Sequence, residues 1–268
     1  MATPNFLTVP ARAAKPRARG LTHVLDTGVT PATAADVLAG GGAYIDIWKT
    51  GWGTAYVDAA LEDKLAVLRR RGVATCLGGT MLEIARGQGV ADACLDWAHG
   101  AGFTHVEVSR GTLPMTPAEK RALVRRASDR FVVVTEVGTK DPGDLPDPGR
   151  WRDEAVADRD AGAALVVAEG RQSGTVGIFD ARGRPRADVV EALAEGVGPD
   201  RVVFEAPQAA QQAWFVRHFG PDVNLGNVAL GEVLSVETLR LGLRSDTAQV
   251  WDTDSCPVPP GLAVGKTW

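Results

Sequence analysis

The chain alternates between two kinds of pattern. Short apolar, β-branched runs occur at 23–26, 44–48, 73–77, 104–109, 131–137, 165–169, 202–205 and 223–225. Most are continuously hydrophobic, as in parallel strands covered by helices on their outer side. Between them lie longer segments with apolar residues at helical spacing: 56–71, 82–99, 120–127, 151–161, 188–195, 209–219 and 232–243, with a shorter one at 32–39. Thr116-Pro117-Ala118-Glu119 opens one of these with a threonine cap, a proline in the first turn and a glutamate placed to close a capping box. Gly72, Gly102, Gly162 and Gly220 follow helical patterns at the usual stopping position.

Repetition of eight strand–helix units without a long break in composition predicts an α/β fold, a single (β/α)8 TIM-type barrel over 21–250. A doubly wound sheet is the rival. It would place a glycine-rich phosphate turn after the first strand, where this chain has Asp26-Thr27-Gly28. Residues 1–20 read as an irregular basic tail, with Arg12, Lys15, Arg17 and Arg19 and no acid. Residues 251–268, rich in proline and glycine, read as a second irregular tail.

Composition narrows the function classes. At 268 residues with a net charge of −4, the chain is large enough for a barrel and too acidic for a general nucleic-acid or membrane-surface binder. No apolar run approaches the roughly 18 residues of a membrane span. Cys76, Cys94 and Cys256 lack metal-ligand spacing and fit a reducing, cytoplasmic setting.

In a barrel of this kind the chemistry lies at the C-terminal ends of the strands. Carboxylates recur there, although strands disfavour them: Asp26, Asp46, Glu107, Glu136, Glu169 and Glu205, with Glu83 opening the helix after strand three. Acids converging on one mouth repel each other unless cations are present. The pattern therefore points to a divalent metal, with Mg2+ favoured by an all-oxygen ligand set; Glu107, Glu136, Glu169, Glu205 and Asp46 are the candidate ligands. Ion pairs with arginine are the plainer explanation for any single one.

Two of the six lysines, Lys49 and Lys140, fall just past strands two and five, where a lysine can deliver a proton. Glu169-Gly170-Arg171-Gln172-Ser173-Gly174 offers Arg171 and Ser173 as a cradle for phosphate or carboxylate, and Gly78-Gly79-Thr80 opens a helix with backbone N–H groups suited to an anion. The four histidines read as structural or surface residues, with His105 directed into the barrel. Trp48 and Trp52 flank Lys49 and read equally as pocket wall or core.

At these positions the chain resembles the phosphosulfolactate synthase family. The resemblance runs through Tyr44-Ile45-Asp46 to Lys49, Gly51-Trp52-Gly53-Thr54, Gly78-Gly79-Thr80, Glu107-Val108-Ser109, Glu136-Val137-Gly138, Glu169-Gly170-Arg171, Phe204-Glu205-Ala206-Pro207-Gln208, Val223-Asn224-Leu225 and Glu237-Thr238-Leu239-Arg240. It implies a magnesium-dependent (β/α)8 enzyme, expected to be a homo-oligomer, that adds sulfite to phosphoenolpyruvate. The product would be (2R)-phospho-3-sulfolactate. Carried onto this chain, it implies Lys140 as the acid that protonates C2, with Lys49 the runner-up. Arg171 and Ser173 would hold phosphate, and Asn224 would join the substrate site.

Four positions depart from the family pattern: Thr27 and Thr139 stand where lysine is usual, Arg110 where aspartate is usual and Gln172 where glutamate is usual. These departures set two alternatives beside the main expectation. One is a relative that adds another nucleophile or acts on a related phosphorylated acid, with Arg110 contacting an extra anionic group. The other is a non-catalytic barrel of the kind found among plant heat-stress-associated relatives.

Overall fold

The computed structural model describes residues 6–139, 143 and 146–248. Eight parallel strands close into a barrel in sequence order: β1 Thr22–Asp26, β2 Ile47–Thr50, β3 Ala74–Leu77, β4 His105–Val108, β5 Val132–Val137, β6 Leu165–Ala168, β7 Val202–Glu205 and β8 Asn224–Ala229. Around them lie α1 Pro31–Gly41, α2 Leu61–Arg70, α3 Gly79–Gly87, α4 Ala91–Ala101, α5 Pro117–Ser128, α6 Pro148–Asp160, α7 Ala187–Val197, α8 Ala209–Phe219 and α9 Val233–Arg240. The (β/α)8 architecture expected from the alternating pattern is the observed one.

The helices form where the pattern and the caps agree. In α5 the Thr116 hydroxyl accepts from the Glu119 amide and the Glu119 carboxylate accepts from the Thr116 amide, closing the predicted capping box. The helix then buries Leu123, Val124 and Ala127 against the sheet while its arginines face outward. The 82–99 pattern is two helices, because Gly89 takes a left-handed φ of 77° that ends the first and lets α4 restart on the same apolar side. The second strand lies later than expected, since residues 42–44 close a 3-10 turn after α1. Lys49 is consequently inside β2.

Side chains fill the barrel in layers. Val134, Val167 and Val203 form one dry cluster, and Leu21, Ile47 and Cys76 another. A larger core lies between strands and helices, where Phe204 stacks on Phe215 and Phe219 with ring centroids 4.6 and 5.3 Å apart.

The N-terminal ends of the strands form a closed floor. Residues 6–20 have no regular structure, and several of their basic residues are docked on the floor. Arg12 Nε donates to Glu237 Oε1 at 3.0 Å and Arg12 Nη1 pairs with Asp222 at 3.2 Å; Arg17 pairs with Asp46 at 2.9 Å. The buried Arg240 guanidinium caps the carbonyls of Leu21, Pro221 and Val223. Residues 251–268 lie outside the described residues.

Candidate active site

At the opposite end the strands open on a cavity of about 280 Å³. Its floor is charged: Lys49, Glu107, Glu136, Glu169 and Glu205 all line it, and each is at least nine-tenths buried. Alternation along the strands puts them there. Glu107 and Glu136 are the inward residues one step above the barrel's apolar layers, and Glu169 directly follows β6.

Lys49 ties two of these acids together. Its Nζ donates to Glu107 Oε2 at 2.9 Å and Glu205 Oε1 at 3.2 Å. Burial pulls the ammonium's pKa down, but Glu107, Glu205 and Glu136 outweigh it and hold the pKa well above its ordinary value. For Glu107 burial acts in the opposite sense and is overcome by Lys49 and the Gly79 amide, so its pKa is lowered. The Gly79 N–H reaches Glu107 Oε1 at 2.9 Å only because that residue has no side chain: a Cβ would stand 2.2 Å from Ser109 Oγ and 3.1 Å from Glu107 Oε1.

The other carboxylates form an arc. Glu136, Glu169 and Glu205 each offer an oxygen, and the three atoms lie within 4.8 Å of one another. Glu205 Oε2 also accepts from the Gly170 amide at 3.0 Å, and Glu169 Oε1 from the Arg171 amide at 2.7 Å. These are hard oxygen donors at the C-terminal ends of consecutive strands β5, β6 and β7, and the donor set fits Mg2+ or a similar divalent cation. Arg171 lines the cavity, together with Gly78, Gly79, Thr80 and Gln172.

Several expected site residues lie elsewhere. Asp46 precedes β2 on the floor, where it accepts from Arg17 and the Thr22 amide. Asn224 starts β8 on that same floor; its carboxamide accepts from the Leu21 amide and donates to the Asp200 and Val202 carbonyls. Both were drawn to the mouth by sequence proximity to strands whose opposite ends carry the site. Asp26 is bound to Lys64, Trp48 and the amides of Gly28 and Val29. Glu83 gathers the Ser109 hydroxyl and the amides of Gly111, Thr112 and Leu113. These two acids therefore shape loops beside the mouth.

Arg110 does not line the cavity. Its guanidinium grips Glu154 at 2.8 and 2.5 Å, and this carboxylate also receives Lys120, whose Nζ reaches the Glu136 carbonyl at 2.7 Å. Despite burial, which opposes ionisation, the two cations bring the Glu154 pKa down to about 2. Ser173 is exposed, with its hydroxyl 2.9 Å from that of Thr175. Lys140 lies outside the described residues.

Two residues carry more than sequence reasoning gave them. His23 is a buried interior imidazole whose ring nitrogens have no hydrogen-bond partner among the described residues; burial, then Lys49, lowers its pKa to about 3. Asn227 lines the mouth, although β8 was expected to end at 225. An asparagine inside an apolar run was the one available signal for it.

Over most of its length the chain is similar to known proteins. Residues 10–246 match the (2R)-phospho-3-sulfolactate synthase (ComA) family. The chain is 40% identical over 249 residues to the phosphosulfolactate synthase of Methanothermobacter thermautotrophicus, covering 91% of this chain and 96% of that protein. It is 37% identical over 244 residues to the phosphosulfolactate synthase of Bacillus subtilis, covering 90% and 97%. Among solved structures, 3-hexulose-6-phosphate synthase from Salmonella typhimurium superposes with a TM-score of 0.56 at 14% identity, over 82% of this chain and 98% of that one, a likeness of fold alone. With a barrel closed in sequence order, an acidic mouth bridged by Lys49 and a match over most of its length, the chain belongs to the phosphosulfolactate synthase family.

Proposed function

We propose that the chain catalyses the magnesium-dependent addition of sulfite to C3 of phosphoenolpyruvate, giving (2R)-phospho-3-sulfolactate. The observation that carries this reading is the arc of Glu136, Glu169 and Glu205 beside the buried Lys49, in the mouth of a barrel 40% identical to a named phosphosulfolactate synthase.

In the proposed reaction the sulfur lone pair forms the C–S bond at C3. The C2–C3 π pair moves toward the substrate carboxylate, and a proton then reaches C2. Mg2+ held by the arc would neutralise the substrate's negative charge and stabilise the charge that develops on its carboxylate. The chain supplies orientation and protons. Arg171, at the rim, reaches the phosphate, and Thr80 in the first turn of α3 lines the same cavity. Lys49, its pKa raised and shared between two glutamates, is a durable positive charge beneath the substrate and a reluctant donor. We therefore keep Lys140 as the acid that protonates C2.

Small-molecule substrates follow from the family. No helix among the described residues is long and apolar enough to cross a membrane. A cytoplasmic homo-oligomer without a nucleic-acid partner completes the proposal.

The test is phosphorus NMR of purified protein with phosphoenolpyruvate and Mg2+, with and without sulfite. A new phosphate-ester signal that needs both substrates and disappears with EDTA is expected. Folded protein that binds phosphoenolpyruvate but gives no such signal would sink sulfite as the nucleophile.

A further inference from the structure

Among the described residues, three non-glycine positions take a left-handed backbone: Trp52 at φ 55°, Arg171 at 59° and Asn227 at 51°. All three line the mouth cavity. Side-chain-bearing residues adopt this conformation at a cost, and such residues gather where a ligand is handled.

Asn227 is the most telling of them. In β8, Gly226 pairs with Glu205 and faces the barrel interior, so a regular strand would turn Asn227 outward to the helices. It does not. The pairing of β8 with β1 advances from Thr22↔Leu225 to Val24↔Val228, leaving one extra residue in β8 across that interval. This bulge and the left-handed φ turn Asn227 onto the mouth. There it is 8% exposed, and its Oδ1 has no hydrogen-bond partner among the described residues.

A bulge, a left-handed backbone and a carboxamide oxygen without a partner among the described residues meet at one residue, and glycine would avoid the last two. Packing does not require the amide, so a ligand is its natural partner. Strands β5, β6 and β7 supply Glu136, Glu169 and Glu205 in turn, and β8 is the next strand around the barrel. Three carboxylates already exceed the charge of a divalent cation, so a further protein donor should be neutral. Asparagine carbonyls serve hard cations in this way.

We infer that the Asn227 carbonyl is a neutral oxygen donor to the divalent cation of the Glu136–Glu169–Glu205 arc. The inference rests on the proposal that this mouth binds such a cation.

The experiment measures Mn2+ binding by electron paramagnetic resonance, phosphoenolpyruvate binding by calorimetry and thermal unfolding in EDTA. It compares wild type, Asn227→Gly and Asn227→Asp. Asn227→Gly removes the carboxamide and relaxes the backbone, so its unfolding temperature in EDTA should equal or exceed that of wild type. Its Mn2+ affinity should fall by about tenfold or more. Asn227→Asp, which restores an oxygen at the position, should bind Mn2+ within about threefold of wild type. Wild-type Mn2+ affinity in Asn227→Gly would overturn the inference while leaving the cation reading intact. Weaker phosphoenolpyruvate binding with unchanged Mn2+ binding would make Asn227 a substrate donor and overturn it too. A wild-type protein that binds no Mn2+ would remove the cation reading itself, and this inference with it.

Discussion

The two ends of this barrel treat charge in opposite ways. On the floor, Arg12 and Arg17 pair with Asp46, Asp222 and Glu237, and backbone carbonyls take the Arg240 Nη donors. At the mouth, Glu107, Glu136, Glu169 and Glu205 face Lys49 and Arg171, and Asn227 lines the same cavity. The floor's charges are partners for one another, whereas the mouth's acids are crowded on one side of a cavity with left-handed residues at its rim. The difference teaches which charged groups are structural. A carboxylate closed by arginine and backbone holds the fold together, whereas Glu136, Glu169 and Glu205 bring three oxygens within 4.8 Å of one another, the arrangement on which the proposed cation site rests.

Substitutions at each end test this contrast. The largest effect is expected for Lys49→Met, which leaves Glu107 and Glu205 buried without their shared ammonium. Denaturant unfolding should show a loss of about 3–5 kcal/mol, together with loss of turnover. A loss below about 1 kcal/mol would mean that the two acids can neutralise at little cost and that the mouth is less charged than it looks.

On the floor, Arg12→Ala strands a largely buried Glu237 and should lower stability by about 2 kcal/mol. Mn2+ affinity at the mouth should stay within about twofold, because sites far apart without shared partners behave independently. An equal fall in both quantities would break the contrast between the two ends.

Acid sharpens it. His23 and His105 are held neutral by burial, with pKa values lowered to about 3 and about 4. The unfolded chain binds these protons first, so the stability they contribute is present above the ordinary histidine range. It is lost as pH falls through about 6.5 toward those lowered values. Through His23 alone, the protein should be about 1 kcal/mol less stable near pH 5.5 than near pH 7.5. His23→Val should flatten that slope, and an unchanged slope would mean that His23 is already satisfied or charged.

The smallest effect is expected at Arg110. Lys120 still holds Glu154 when the guanidinium is gone, so Arg110→Ala should cost about 1 kcal/mol or less. KM for phosphoenolpyruvate and sulfite should not move. A rise in either KM would return Arg110 to the substrate and revive the reading of an extra anionic group.

The sequence determined the architecture and half of the site. Continuous apolar runs alternating with helices call for a parallel sheet covered by helices. Eight such units without a glycine-rich phosphate turn after the first strand favour the closed barrel over a doubly wound sheet. Glu107, Glu136, Glu169 and Glu205 were legible for a related reason: acids at strand ends in such a fold lie at its working face. Closure of the barrel decided the rest. Asp46 and Asn224 sit within a few residues of Lys49 and Asn227 along the chain, yet each pair spans a strand from floor to mouth. Residue type cannot reveal at which end of a short strand a side chain falls when the strand's limits are uncertain by a few residues. The docking of Arg12 and Arg17, the capture of Arg110 by Glu154 and the turn of Asn227 into the mouth depend on partners from distant parts of the chain or on a register fixed only when β8 meets β1. Local pattern encodes which elements form, and long-range pairing decides which of their polar groups are satisfied and which are left facing the cavity.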